Sequence, residues 1–99
     1  MNEFFDALGR RWVEAAGSRG AEIAAPELDS GMAAELLELA RVAAHSQERR
    51  FAPLAAFTAG VAVERLRLAS QSSPTPPSAD ELAAYVREVR QQLEVEAPG

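Results

Sequence analysis

Apolar side chains recur at helical spacing in four separate parts of the chain. In the first part, Phe4, Leu8 and Trp12 follow one another every four residues, while charged residues occupy positions between them. This pattern is typical of an amphipathic helix, with one apolar and one polar face, and we expect Phe4 and Trp12 in the core and not on a stacking platform. Because the Asn2 side chain can accept a hydrogen bond from the first turn, the sequence predicts a helix over residues 2–17.

The second part follows a loop that contains two glycines and a proline, and it predicts a helix over residues 30–47. Its expected buried stripe consists of the apolar residues at helical spacing, which are Met32, Leu36, Leu39, Ala40 and Ala43. Its expected solvent-exposed face carries Glu35, Glu38 and Arg41. Of these, Glu38 and Arg41 are spaced to form an ion pair across one turn.

Pro53 marks the expected start of the third helix, because proline suits a first helical turn and disfavours helix at the residue before it. From Pro53 to Val63 the only polar side chain is a threonine. The helix predicted over residues 53–70 is therefore apolar nearly all round, which is typical of the middle of a bundle. Ala56 and Gly60, four residues apart, would let the backbone of another helix come close.

A serine- and proline-rich run over residues 71–77 predicts an extended linker. Ser78 and Glu81 follow it with the spacing of a capping box at the start of a fourth helix, predicted over residues 78–96. The apolar positions of that helix are Leu82, Val86, Val89 and Leu93. The sequence thus predicts an all-α fold, as one domain over residues 1–99 that forms a compact four-helix bundle with the apolar third helix at its centre.

Composition and charge narrow the classes of function. The 99 residues carry a net charge of -5, which disfavours nucleic acid and anionic membrane surfaces as partners. With no cysteine and one histidine, we expect no disulfide, no metal site and no cofactor. The longest apolar run is too short to cross a membrane, and the first residues do not resemble a signal peptide. We therefore expect a cytoplasmic protein.

The most distinctive polar cluster lies in AHSQERRFAP, residues 44–53, between the second and third helices. Ala52 has no side-chain oxygen to cap the third helix, whose first amides carry the positive end of the helix dipole. Arg49 and Arg50 lie a few residues away, so one hypothesis is an anion site for a phosphate, a nucleotide or a carboxylate. The candidate ligand-binding residues are His45, Glu48, Arg49 and Arg50.

The same corner also fits a purely structural role. Glu48 is near enough to cap the third helix, and His45 with the arginines can cap the carbonyl end of the second. A third hypothesis is a free-standing enzyme, in which His45 would act as acid or base beside Glu48. Because no phosphate-binding loop, dinucleotide fingerprint or nucleophile elbow occurs in the sequence, we expect that the protein is not an enzyme.

Residues 36–63, LLELARVAAHSQERRFAPLAAFTAGVAV, resemble a small uncharacterised bacterial domain family. In that family a leucine-rich helix leads to an Ala-His pair, a Glu-Arg pair and a proline-leucine start of a second apolar helix that contains a glycine. The matching residues here are Ala44 and His45, Glu48 and Arg49, Pro53 and Leu54, and Phe57 and Gly60. The family tends to have proline where this chain has Arg50, and a second glycine where it has Val63 or Glu64.

Members of that family occur alone or appended to proteins of molybdopterin-guanine dinucleotide biosynthesis. The resemblance implies a molybdenum-cofactor context, with a guanylyltransferase of cofactor maturation as an expected protein partner. We accordingly expect a non-catalytic helical interaction module with an exposed apolar patch on its first or fourth helix. A homodimer stays open, and the alternative function is a small protein that binds an anionic ligand at the corner.

Overall fold

The computed structural model describes residues 2–96 and has no strand within them. Its four α-helices are α1 (Glu3–Ser18), α2 (Ser30–Ser46), α3 (Phe51–Ala69) and α4 (Ala79–Glu96). The all-α fold predicted from the sequence is confirmed, and α2, α3 and α4 pack closely as a bundle. The chain divides into two compact units, one that ends at Ser30 and one that begins at Gly31.

The first unit consists of α1 and the segment that follows it. Asn2 caps α1 as predicted, because its Oδ1 accepts a hydrogen bond from the Phe5 amide at 3.1 Å. Beyond the other end, Gly20 adopts a positive φ of 80°, a conformation that glycine favours where a helix ends. Gly9 is buried in this unit because the segment around Pro26 lies over it. A Cβ placed at Gly9 would lie 3.3 Å from the Pro26 carbonyl oxygen. The segment therefore returns across α1 at a position where α1 has no side chain.

The second unit has its small core between α2 and α4. The buried apolar residues are Leu39 and Val42 of α2 and Ala83 and Val86 of α4. Leu39 belongs to the predicted stripe of α2, whose other members are half-buried, while burial of Val42 was not expected. α4 also packs against α3. The core is thus formed mainly by two helices instead of being shared by four.

The prediction that α3 lies at the centre is wrong. No residue of α3 is buried, and its large side chains Leu54, Phe57 and Leu68 are exposed. The side of α3 that faces the other two helices carries small residues, Ala59 and Ala62 among them. An apolar helix with alanines on one side and larger residues on the other can pack through its alanines, and its composition alone does not show which side is covered.

α3 also begins at Phe51 instead of the predicted Pro53. The Phe51 amide donates to the Glu48 carbonyl oxygen at 2.9 Å, so the chain turns into the helix earlier. Pro53 is accommodated because it still lies in the first turn, where its missing N–H is not needed. The capping box of α4 is confirmed, since the Glu81 amide donates to Ser78 Oγ at 3.1 Å and the Ser78 amide donates to Glu81 Oε1 at 3.5 Å.

Candidate functional site

The predicted ligand-binding residues lie at the end of α2 and in the turn that leads to α3. Arg50 Nε donates to Glu48 Oε2 at 2.7 Å, and the Arg50 side chain remains 80% exposed. His45 and Arg49 are exposed as well, and neither side chain forms a hydrogen bond or an ion pair with another residue in the range 2–96. The structure therefore brings Glu48 and Arg50 together and leaves His45 and Arg49 separate.

The first amides of α3 are not free to hold an anion. The Phe51 amide is bonded to the Glu48 carbonyl oxygen and the Ala52 amide to the Arg49 carbonyl oxygen, at 2.9 Å and 3.2 Å. The next residue, Pro53, has no amide hydrogen. The anion hypothesis thus loses these amides as donors, and the guanidinium groups are what remain of it.

The carbonyl end of α2 is closed without help from His45. Ser46 Oγ donates to the Val42 carbonyl oxygen at 2.7 Å, and the Gln47 amide donates to the Ala43 carbonyl oxygen at 3.1 Å. The carboxylate of Glu48, for its part, binds the Arg50 side chain and does not cap α3. Neither of the capping roles considered from the sequence is realised in this part of the chain.

A cluster of charged residues between α2 and α4 was missed by the sequence analysis. Glu35, expected on the solvent-exposed face of α2, is only 9% exposed. Its carboxylate accepts hydrogen bonds from Arg87 Nε at 2.9 Å and from Arg90 Nη2 at 3.3 Å. The reason for its burial is position, since Glu35 lies one turn before Leu39 and two turns before Val42, on the buried side of the helix. This position relative to Leu39 and Val42 was the only indication in the sequence that Glu35 is buried.

The ion pairs continue outward from Glu35. Arg90 Nη1 donates to Glu94 Oε1 at 2.8 Å, and Arg41 Nη2 lies 3.8 Å from the same Glu94 oxygen. Arg41 also donates from Nη2 to Glu38 Oε2 at 3.0 Å, which confirms the predicted pair within α2. Arg90 Nε is buried and has no hydrogen-bond partner among residues 2–96. Positive and negative groups thus alternate from the core edge to the surface.

The arginines of this cluster determine the protonation state of Glu35. The hydrogen bond from Arg87 holds the pKa of Glu35 below its ordinary value; burial opposes this effect, and Arg90 adds to it. The hydrogen bond to Glu94 raises the pKa of Arg90. Glu35 is therefore a carboxylate at neutral pH with both oxygens engaged. A group in this state holds two helices together and is a poor proton donor or acceptor.

An apolar cleft with a volume of about 260 Å³ lies between α2, α3 and α4. It is lined by Leu39, by Ala59 and Ala62, and by Val89 and Leu93. The alanines leave space that larger side chains would fill, so Val89 and Leu93 stay partly exposed although the sequence places them on the apolar stripe of α4. The cleft thus lies where the small residues of α3 face α2 and α4.

The exposed apolar patch expected on the first or fourth helix is present on α1. Phe4 is 66% exposed and Trp12 is 55% exposed, with the half-buried Leu8 between them on the same side of the helix, so the expectation that Phe4 and Trp12 lie in the core is wrong. The Phe5 ring meets the Phe4 ring edge to face, with centroids 5.0 Å apart. Aromatic side chains of this size are seldom left in water without a partner.

Residues 6–98 match a family described as a domain of unknown function (DUF6457). The chain belongs to this family. The match covers nearly all of the four helices, whereas the resemblance noted in the sequence covered about the middle third. It confirms an uncharacterised domain family, while the bacterial origin and the association with molybdopterin proteins stay predictions. No curated protein and no solved structure matches the chain.

Two further properties hold for the part of this DUF6457 domain that the structure describes. It contains no group of three histidine, cysteine, aspartate or glutamate residues that could hold a metal ion. None of its helices combines the length and the apolar character that crossing a membrane requires.

Proposed function

We propose that the chain is a non-catalytic helical module that binds a protein partner through an apolar face of α1. This α1 face consists of Phe4, Leu8 and Trp12. The observation that carries the proposal is the exposure of Phe4 and Trp12 on the same side of one helix. Tryptophan and other aromatic residues are enriched among the side chains that supply most of the binding energy in protein interfaces.

The spacing of the α1 face favours one mode of binding. Its three residues follow at intervals of four, so they stand about 6 Å apart along the helix axis. An amphipathic helix with anchors at this spacing fits a hydrophobic groove on another protein. Arg11 lies beside Leu8 on the helix surface, one turn further along α1. The expected partner therefore offers an apolar groove with a carboxylate at the edge that meets Arg11.

The proposal includes no chemical step by this chain. His45 is the residue that an enzyme built on the corner would use, and its ring contacts no carboxylate in the described range. The carboxylate of Glu48, its expected helper, binds Arg50 instead. We place the interaction in the cytoplasm, as expected from the sequence, with neither nucleic acid nor membrane as a partner.

The sequence resemblance supports a first partner to test, a guanylyltransferase of molybdenum-cofactor maturation. Trp12 is the only tryptophan of the chain, so 5-fluorotryptophan labels the α1 face alone. Titration with the unlabelled guanylyltransferase, followed by fluorine NMR, is expected to shift the Trp12 resonance. Phe4→Ala is expected to weaken the complex about 30-fold, the effect of an anchor worth about 2 kcal/mol.

The matched control is Leu37→Ala, because Leu37 is an exposed leucine of α2 outside the α1 face. This variant should bind as tightly as the unaltered chain. Binding that leaves both the Trp12 resonance and the Phe4→Ala affinity unchanged would exclude the α1 face as the contact. Absence of binding at concentrations near the solubility limit would exclude the guanylyltransferase as the partner.

The second candidate function is binding of a small anionic ligand at the corner between α2 and α3. It is supported by the exposed guanidinium of Arg49, which has no carboxylate partner within residues 2–96. The bonded amides of Phe51 and Ala52 count against it. A ligand there would be held by Arg49, with Arg50 shared between the ligand and Glu48. The thermal test described in the Discussion separates this function from the first.

A further inference from the structure

Gly60 lies in the interior of α3, and no contact among the described residues requires a glycine at this position. Glycine in a helix interior destabilises the helix relative to alanine. Its backbone does not need glycine, because the only described residue with a positive φ is Gly20. A Cβ added at Gly60 would also meet nothing within 4 Å. The close helix approach predicted from the sequence at this position therefore does not occur among the described residues.

The surroundings of Gly60 show what could use the space. Leu54, Phe57, Val61 and Leu68 lie on the same side of α3, and we call this set the α3 face. Phe57 is 71% exposed, more than either aromatic residue of the α1 face. A groove of about 530 Å³ runs along the outer surface of α3 past Phe57, Gly60 and Leu68. The α3 face is thus an apolar stripe with a gap at its middle.

We propose that two copies of this chain associate through the α3 face, with their α3 helices antiparallel and closest at Gly60 and Val61. A missing Cβ lets two helix backbones approach, and the groove that runs past Gly60 can receive the side-chain ridge of a second helix. This inference goes beyond the proposed function, because it uses a different helix and a different partner.

The distribution of charge along α3 favours a second copy of the chain as the occupant. The first half of the exposed side is apolar and includes Leu54 and Phe57. The second half carries Leu68, Arg65 and Glu64, of which the Glu64 carboxylate is already bound by Arg67. In an antiparallel pair each half meets the opposite half of the other copy. Arg65 then lies over the ring of the second copy's Phe57, a favourable cation–π arrangement, and Leu54 meets Leu68. A surface that fits itself in this way meets the requirement for a two-fold interface.

A parallel pair is disfavoured by the same residues. It would place Arg65 opposite Arg65 and Glu64 opposite Glu64, with like charges in direct contact. Glu64 is satisfied within its own chain, because Arg67 Nε donates to its Oε2 at 3.0 Å. Antiparallel helices also bring opposite ends of the two helix dipoles together. The expected arrangement is therefore antiparallel.

The size of the α3 face sets the expected strength. Leu54 and Leu68 are 14 positions apart, or about 21 Å along the helix axis. One helix face of this length buries less than the roughly 800 Å² per partner of a standard interface. A dimer with a dissociation constant of about one to a hundred micromolar is expected.

Sedimentation equilibrium of the whole chain, at concentrations from roughly one to several hundred micromolar, tests the association. The unaltered chain is expected to pass from monomer to dimer in this range, and Leu54→Glu is expected to raise the dissociation constant at least tenfold. Leu37→Glu is the matched control, because Leu37 is likewise an exposed leucine but lies on α2. A monomer throughout the range, or equal effects of the two variants, would overturn the proposal.

Gly60→Leu is the second variant and tests the close approach at Gly60. The open space around Gly60 predicts that the monomer keeps its helical circular dichroism and its melting temperature. The new side chain would fill the gap between the two helices, so dimerisation should be lost. A folded variant that still dimerises would show that the helices do not meet at Gly60. An unfolded variant would show that α3 is already covered within its own chain, which overturns the proposal too.

Cross-linking tests the orientation, because the chain has no cysteine of its own. Val61→Cys is expected to link two copies with a short thiol reagent. Leu54→Cys and Leu68→Cys should link only when the two variants are mixed. Linking of each variant with itself would indicate parallel helices and exclude the antiparallel arrangement. None of these substitutions touches the α1 face, so loss of the dimer and loss of guanylyltransferase binding are separate outcomes.

Discussion

The carboxylate of Glu35 in α2 lies 2.9 Å from Nε of Arg87 in α4, and this bond joins the two helices that supply the core of the second unit. Arg90 adds a second contact to the same carboxylate at 3.3 Å. Few apolar side chains are buried in this unit, so a buried carboxylate with two cationic partners has a large share in its packing. Removal of Glu35 leaves Arg87 without an ion-pair partner among the described residues and leaves the largely buried Arg90 with Glu94 alone, which costs stability.

Glu35→Gln is expected to lower the free energy of unfolding by about 1–3 kcal/mol, because the amide is nearly the same size but leaves Arg87 without a carboxylate and Arg90 with Glu94 alone. Urea unfolding followed by circular dichroism measures this loss. Glu38→Gln is the matched control, one turn away on α2 and exposed, and it should cost less than about 1 kcal/mol. Equal losses for the two variants would show that the Glu35 cluster does not stabilise the packing.

The dependence of stability on pH follows from the same carboxylate. The pKa of Glu35 in the folded chain lies below its ordinary value of 4.5, chiefly because of the hydrogen bond from Arg87. The unfolded chain therefore binds this proton first as the pH falls, and the stabilisation present above pH 4.5 is lost as the pH drops through the folded-state pKa. Glu64 contributes in the same direction, because Arg67 lowers its pKa.

Urea unfolding at a series of pH values from about 6 to about 3 measures this effect. The free energy of unfolding of the unaltered chain should fall across the range, and the difference from Glu35→Gln should shrink as Glu35 becomes protonated. A difference that is the same at every pH would mean that the charge of Glu35 is not what holds α2 to α4.

The starts of α1 at Asn2 and of α4 at Ser78 could be predicted, because capping depends on residues within one turn of each other. The side of α3 that packs against its neighbours could not be predicted. An apolar residue stands at almost every position there, so the hydrophobic pattern does not distinguish one side of the helix from another. Glu35 shows a different limit. Its position in line with Leu39 and Val42 indicated burial and its charge indicated exposure. The conflict is resolved by arginines about fifty residues further along the chain.

The candidate site, like the fold, was predicted only in part. The pairing of Glu48 with Arg50 was not predicted, because the sequence indicated Glu48 as a cap of α3 and Arg50 as an anion ligand. The free amides of α3 depended on a helix start at Pro53, which the turn at Glu48 moves to Phe51. Spacing predicted that the residues of the α1 face share one side of the helix, because they repeat every four positions, but it did not predict that Phe4 and Trp12 are exposed. Exposure of the α3 face depends on which side of α3 packs, so spacing did not predict it.

Arg49→Ala is expected to lower the free energy of unfolding by less than about 1 kcal/mol, because the side chain is exposed and has no ion-pair partner in the described range. The same variant tests the corner as a binding site. Thermal melts of the unaltered chain and of Arg49→Ala with phosphate, pyrophosphate, GMP, GTP and a pterin should show no shift in melting temperature. A ligand at ten times its dissociation constant would add about 1.4 kcal/mol, or about 5–10 °C for a chain of this length. A shift that Arg49→Ala abolishes would establish the corner as an anion site.

The two glycines of α1 that lie inside the helix should respond differently to alanine. At Gly17 a Cβ meets nothing within 4 Å, so Gly17→Ala is expected to stabilise α1 by up to about 1 kcal/mol through helix propensity. At Gly9 a Cβ would lie 3.3 Å from the Pro26 carbonyl oxygen, closer than an ordinary contact. The returning segment must then shift, which offsets the gain from propensity. Hydrogen exchange of the α1 amides measures both effects within this unit, with Gly17→Ala as the control for Gly9→Ala. Equal protection in the two variants would mean that the contact at Pro26 does not hold the segment on α1.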